Sequence, residues 1–382
     1  MTDAPITQLC QYINELSESS RPPRSVEELK AARYLQQKLK DMNIDEIEEE
    51  VFYSIGKLSE RLGAVGVLAG AGMLVGAGEA RWRRILGALL MVGAALSARE
   101  ILKGGAPPWE NFYPQRRSQN IIGRIPPSGE LRDRIVFLAH MDTDIARMTD
   151  FAQLREYAPY FYAGLPNVAL LGSMLTLFNA PIWMRQMVSY LLFGEAGLSV
   201  ANEIGKSTTG ANDNASGVAI LLSLAEAVAA TPLDHTEVVI AFTGCGTVAG
   251  QGAAELVREY GDQWKEATWL ALDNVGAGEL CWASEHGWSS NAHYYPHPET
   301  VELLTRVAAK HPHLGIMGKP MMSLDDVAPM RHKGLKAAAI MGYERSTGFF
   351  SKGKTPEDIQ PSTLARTWEY VWGIMKDIDT KV

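Results

Sequence analysis

Cysteine is scarce in this chain. There are three in 382 residues, Cys10, Cys245 and Cys281, odd in number and far apart, which argues against a disulfide framework. An excess of positive charge is also missing: the formal net charge is −8, which gives no support for a nucleic-acid partner. Residues 1–24 are polar and contain no apolar core stretch, so no cleavable signal peptide is expected. A chain of this length can bury one large core or two modest ones. Its hydrophobic content, 46%, is ordinary in total but unevenly spread.

The unevenness lies in two places. Leu62 to Gly78 is an uncharged run of glycine, alanine, valine and leucine; Arg81, Trp82, Arg83 and Arg84 interrupt it, and Ile85 to Ala98 is apolar again. Neither run has a polar face, so neither reads as an ordinary surface helix. A membrane span takes roughly 17–25 residues; the first run just reaches that, and the second does so only with its flanks. Gly66, Gly70, Gly72 and Gly76 suit helices that touch backbone to backbone. The second place is residues 145–207, where Phe161 to Trp183 is apolar apart from Asn167 and Asn179, with Pro166 and Pro181 as breaks, and Met187 to Phe193 is apolar again. Standing alone, each insertion would expose a large apolar patch, so the two are expected to pack together, on or in a bilayer. Trp82, Trp183 and the tyrosines around Tyr160 suit an interface. The expectation is a membrane-associated, multi-pass arrangement through 62–98 and 161–193, with the remaining domain on the cytoplasmic side. The alternative is a soluble cytoplasmic protein whose apolar hairpin is buried or forms a homo-oligomer surface. Positive charge flanks the first hairpin on both sides, so it does not decide topology.

Elsewhere the chain alternates. Helical spacing covers residues 3–18 and 26–42, the second with Ser25 as N-cap and Glu28 three residues on as a capping box. Strand patterns cover 47–53, 118–125, 134–140, 237–243, 268–272 and 337–341; helical ones cover 218–230, 252–260, 300–310 and 362–377. The fold class is therefore α/β, a mainly parallel mixed sheet flanked by helices on both faces, with two inserted hydrophobic helical segments. Residues 1–55, 106–144 and 208–382 form the α/β domain, 56–105 a hydrophobic hairpin and 145–207 the second insertion.

Gly210 to Gly217 is a small-residue loop with Asp213 near its centre, entering an apolar helix. His140-Met141-Asp142 ends one strand and Asp273 ends another. Two acids and a histidine at strand ends form a metal-ligand set, although a histidine at a strand end is equally at home as a hydrogen-bonded core residue. Cys245 reads as a small buried thiol, with a ligand role as the rival reading. Asp325-Asp326 fits a helix cap as readily as a site. His286, His293 and His297 read as surface or pocket-wall groups, and His332, between Arg331 and Lys333, as part of a solvated face.

Ser118-Gln119-Asn120-Ile121-Ile122-Gly123, His140-Met141-Asp142, the 210–217 loop, Leu272-Asp273 and Thr355-Pro356-Glu357-Asp358 stand in the order that resembles the M-28 family of zinc peptidases. The resemblance covers about residues 25–55, 116–143 and 208–380. It implies two zinc ions bridged by Asp213, with His140 and Asp273 completing the shell of one, and Asp142 orienting His140. It also implies losses. Gly246 and Thr247 occupy the positions of a glutamate pair, the first of which is the family's general base and the second a ligand of the other zinc. Lys354 stands where that zinc's histidine belongs, and a protonated lysine cannot ligate a metal. The resemblance thus implies one zinc ion, or none, and a catalytically impaired or non-catalytic homologue whose cleft takes a peptide or small amide ligand. The alternative is an active one-zinc aminopeptidase using Asp142 or Glu285 as a substitute base.

Overall fold

The computed structural model describes residues 5–55, 57–145, 158–202, 205, 207–287, 293–321, 325–344, 349–350 and 355–380. Helix α1 spans Ile6–Ser17 and buries Leu9, Tyr12, Ile13 and Leu16 along one stripe, the spacing of a helix lying on a sheet. Helix α2, Val26–Asp41, begins at Ser25, whose hydroxyl accepts the Glu28 N–H at 3.0 Å. The carboxylate of Glu28 goes elsewhere, as described below. Strand β1 is Glu46–Ser54, followed by helices α3, Leu58–Gly76, and α4, Arg81–Ile101. Strands β2, Arg116–Ile125, and β3, Asp133–His140, lead to helices α5, Ala158–Leu177, and α6, Ile182–Asn202. After a short turn, Ala211–Ala215, come α7, Ser216–Ala230; β4, Thr236–Thr243; α8, Gln251–Tyr260; β5, Thr268–Asp273; and β6, Glu279–Glu285. The chain closes with α9, Pro298–Lys310; β7, Met317–Pro320; α10, Val327–His332; β8, Lys336–Glu344; β9, Phe349–Phe350; and α11, Pro361–Thr380.

The nine strands form one mixed sheet ordered β1-β2-β4-β3-β5-β8-β6-β7, with β9 on β8. Its centre, β4-β3-β5-β8, is parallel. The flanks β1-β2, β2-β4 and β6-β8 are antiparallel, so parallel pairing is confined to the middle and to β6-β7. All eight residues of β4 are buried, which is why it reads as an unbroken apolar run. Leu9, Leu35, Leu222, Leu304 and Trp368 cover one face of the sheet, and Leu256, Trp264, Val327 and Met330 the other.

Helices α3 to α6 pack with one another as a separate bundle around Leu62, Val65, Met73, Met91, Leu165, Val188 and Leu192. Helices α3 and α4 meet at glycine: a Cβ on Gly72 would lie 2.7 Å from Gly87 O, and one on Gly87 would lie 2.6 Å from Gly76 N. At the base, Arg61 and Glu110 form a buried ion pair at 2.6 Å. The outward side chains are apolar, Val67, Leu74, Leu89, Leu96, Met174 and Tyr190 among them. Among the described residues one helix is long and apolar enough to cross a membrane by composition, Ala211–Ala230, and it is a core helix, 72% buried; Gly164–Leu177 is apolar but shorter.

Candidate metal centre

Because β3 and β5 are parallel neighbours, their carboxyl ends lie side by side, where open α/β sheets place ligands. His140 ends one and Asp273 the other. Asp213 reaches them from the turn before α7. Gly210 opens that turn at φ +64°, and a Cβ there would meet Asp213 O at 2.5 Å, so only glycine suits the position. The Asp213–Asn214 peptide is cis. The asparagines either side of Asp213 fasten the turn to the end of β5: Asn214 Nδ2 donates to Leu272 O at 2.7 Å, Asn214 Oδ1 accepts the Asn274 N–H at 3.2 Å, and Asn212 Oδ1 accepts the Gly276 N–H at 2.7 Å. Arg21, buried, donates from Nε to Met141 O at 2.8 Å and from Nη1 to Thr209 O at 3.0 Å, which ties the end of β3 to the same turn. None of these three residues stood out in the sequence, since their roles depend on which backbone groups tertiary structure brings to them.

His140 Nε2 lies 3.3 Å from Asp213 Oδ1 and 3.6 Å from Asp273 Oδ1, and the three ligand atoms are all within 4.8 Å of one another. Zinc takes such donors at about 2.0–2.2 Å in tetrahedral geometry, which sets neighbouring ligand atoms roughly 3.4 Å apart. The set therefore fits one zinc ion. Burial lowers the basicity of His140, but its hydrogen bonds to Asp142, Asp213 and Asp273 outweigh burial and raise its pKa well above the ordinary value. Proton and metal thus compete for the same nitrogen. Burial raises the pKa of Asp273, and the neighbouring charge of Asp213 adds to this against His140.

Asp142 sits behind His140, its Oδ1 3.5 Å from Nδ1, while Nδ1 lies 3.1 Å from the Asp142 backbone O. The carboxylate is gripped from the other side. Gly246 N–H donates to Oδ1 at 2.7 Å, Thr247 N–H to Oδ2 at 3.0 Å, and the Thr247 hydroxyl to Oδ2 at 2.6 Å. This draws the loop so close that a Cβ on Gly246 would lie 2.5 Å from His140 Cγ and nearer still to its Cβ. No side chain fits there.

Beneath the loop, Glu28 accepts the Cys245 N–H at 3.0 Å, the Arg24 N–H at 2.8 Å and the Ser118 hydroxyl at 3.0 Å. The reciprocal half of the expected capping box is therefore absent: the Ser25 N–H goes to Pro22 O at 3.1 Å, and the Glu28 carboxylate is taken up by these three donors instead. Burial, reinforced by Asp142, pushes its carboxyl up to about 8. Cys245 is buried and its thiol pushed up by burial, with Ser118 and Ser54 as hydrogen-bond partners. Asp326 accepts the Thr243 hydroxyl at 3.0 Å and is pushed up to about 7, chiefly by burial. Asp325 accepts the Val327 N–H at 2.9 Å at the start of α10, and also binds His286 Nδ1 at 2.6 Å and the Tyr294 hydroxyl at 3.0 Å. His286 is consequently buried and stacked on Tyr294, not a surface group. His293 pairs with Glu285 at 2.5 Å, His297 caps α9, and His332 is exposed. Lys354 lies outside the described residues.

Residues 194–375 match the family described as Peptidase family M28. No curated protein matches the sequence significantly. Among solved structures, the zinc aminopeptidase BSAP from Bacillus subtilis aligns with a TM-score of 0.58 at 16% identity, covering 99% of this chain and 96% of that one. The aminopeptidase from Aneurinibacillus sp. strain AM-1 aligns with a TM-score of 0.57 at 14% identity, covering 98% and 93%. Glutaminyl cyclase from Bacteroides thetaiotaomicron gives a TM-score of 0.58 at 16% identity, covering 97% of each chain. The sequence of residues 194–375 and the fold of the whole thus agree, and the chain is similar to the peptidases of family M28.

Proposed function

We propose that this protein is a divergent M28-type metallopeptidase homologue that keeps one zinc position, His140, Asp213 and Asp273, and has lost the machinery to cleave a peptide bond at an ordinary rate. The close approach of Gly246 to His140 carries the reading. The position where the resemblance places a general base has no room for any side chain, and its N–H holds Asp142 instead. General-base assistance is worth about 10²- to 10⁴-fold, so turnover without it is slow or absent, and the cleft serves to bind a peptide or small amide ligand. A zinc ion held by the triad would supply a Lewis acid for an amide carbonyl. His140 would be oriented by Asp142, itself fixed by Gly246 and Thr247. The second reading, an active one-zinc aminopeptidase, is favoured by one observation: Asp326, a buried carboxyl pushed up to about 7, feels His140, Asp273 and Asp142 and could accept a proton. Metal content and turnover of aminoacyl substrates separate the two. One zinc equivalent bound at the triad, the equivalent that Asp213→Ala and Asp273→Ala each lose, with no turnover in any form, is expected. Zinc-dependent turnover abolished in Asp326→Asn would establish the second reading instead.

We also propose that the α3–α6 bundle associates with a membrane. Each helix runs to about 30 Å at 1.5 Å per residue, the thickness of a bilayer core, and the outer side chains are apolar. The first turns of α4 and α6 carry Arg81, Trp82, Arg83, Arg84, Trp183 and Arg185, a composition that suits the headgroup region. The protein is expected to sediment with membranes after lysis and to need detergent for release. A monodisperse protein recovered from the soluble fraction without detergent would refute this.

A further inference from the structure

We infer that the chain carries a second, separate site for a divalent transition-metal ion, built from His311, His313 and Glu369. The three ligand atoms lie within 4.8 Å of one another. His313 Nε2 is 2.8 Å and His311 Nδ1 3.6 Å from the same oxygen, Glu369 Oε1. Those separations bracket the spacing of roughly 3.4 Å that neighbouring ligands take around a tetrahedral zinc ion. Two imidazoles and one carboxylate, with an open fourth position, suit zinc and its first-row neighbours rather than calcium or magnesium.

The scaffold is rigid on both sides. His311 closes α9, its N–H donating to Val307 O at 3.1 Å, and His313 follows in a short 3-10 turn. Glu369 projects from α11, and one turn further along that helix Gly373 makes room for a histidine: a Cβ there would lie 3.2 Å from His311 Nε2. The Tyr370 hydroxyl donates to Leu304 O at 2.7 Å, and Asp377 binds Arg306 at 2.7 Å and Lys310 at 2.5 Å, so α9 and α11 are already fastened above and below. Arg366, one turn before Glu369, donates to Leu314 O and fixes the turn that carries His313. A metal ion here would cross-link the two helices. His313 is largely exposed, which leaves an entry path.

The site shares no ligand with the His140 triad, and the test keeps the two apart. Zinc alone is titrated into the full-length protein against a chromophoric chelator, for the wild type and for His313→Ala, Glu369→Gln and Asp273→Ala. His313→Ala and Glu369→Gln are each expected to bind one equivalent fewer than wild type, and Asp273→Ala to keep that equivalent. A zinc-induced rise in Tm should persist in Asp273→Ala and vanish when His313→Ala is added. Equal stoichiometry in wild type, His313→Ala and Glu369→Gln would overturn the site. Because His313 is on the surface, its loss leaves the fold intact and the comparison interpretable.

Discussion

Introducing a carboxylate by Gly246→Glu is expected to empty the His140 zinc position rather than to confer peptidase activity. The new Cβ would have to share space with His140 Cβ and Cγ, and the neighbour that must yield is a stiff imidazole at a strand end, not the tip of a flexible chain. Either His140 is displaced, which separates Nε2 from Asp213 and Asp273, or the loop retreats. Retreat breaks the three hydrogen bonds that Gly246 and Thr247 give Asp142, each to a charged acceptor and each worth about 1.5–3 kcal/mol. Gly246→Ala should show the same effect in smaller form, with a loss of about 1–3 kcal/mol from overpacking and zinc that exchanges faster. Denaturant unfolding and metal content of the two variants check this. A Gly246→Glu protein that held its zinc and gained aminopeptidase turnover would show that the loop moves freely and would overturn the proposed non-catalytic reading.

Arg61→Ala should be about as damaging, though it touches no ligand. Its guanidinium meets Glu110 through Nε at 2.6 Å and Nη2 at 3.2 Å, donates to Gly105 O at 2.6 Å, and reaches Val248 O at 3.4 Å. Both charged groups are buried. Removing one partner strands the other in a poorly solvated place, a loss of about 3–5 kcal/mol. Replacing both at once, as Arg61→Met with Glu110→Leu, should recover much of it, because the desolvation of the pair disappears too. A loss under about 1 kcal/mol for the single variant would mean the pair behaves like an exposed one. Val248 belongs to the loop that grips Asp142, so the variant should also loosen zinc.

The sheet was readable because its central strands are buried on both faces. β3, β4, β5 and β8 show as apolar runs bounded by polar residues, and α7 and α11 by their length. β7 and α10 escaped because they are short. β7 is four residues, Met317–Pro320, containing a glycine and a proline, and α10 is six residues with Pro329 inside. Neither is long enough for a period to emerge. His140, Asp213 and Asp273 stood out because metal-ligating residue types cluster at strand ends. Asn212, Asn214 and Arg21, which hold them in place, did not, because a side chain that satisfies a distant carbonyl leaves no local pattern. Glu28 is the instructive case. Its spacing from Ser25 explained it completely as a helix cap, and only the packed structure shows its carboxylate beneath the 244–250 loop.

The two hairpins of the bundle are far apart along the chain, and β2 and β3 lie between them. During synthesis α3 and α4 are complete roughly a hundred residues before α6, about 5–20 s at ribosomal rates of about 5–20 residues per second. Over that interval the first hairpin carries an uncovered inner stripe, Leu62, Val65, Met73 and Met91, as well as its apolar exterior. A nascent chain in that state either associates with a chaperone or a bilayer, or risks aggregation before its second half exists. The order in which the segments are made therefore leaves the first hairpin in need of cover until the second is complete.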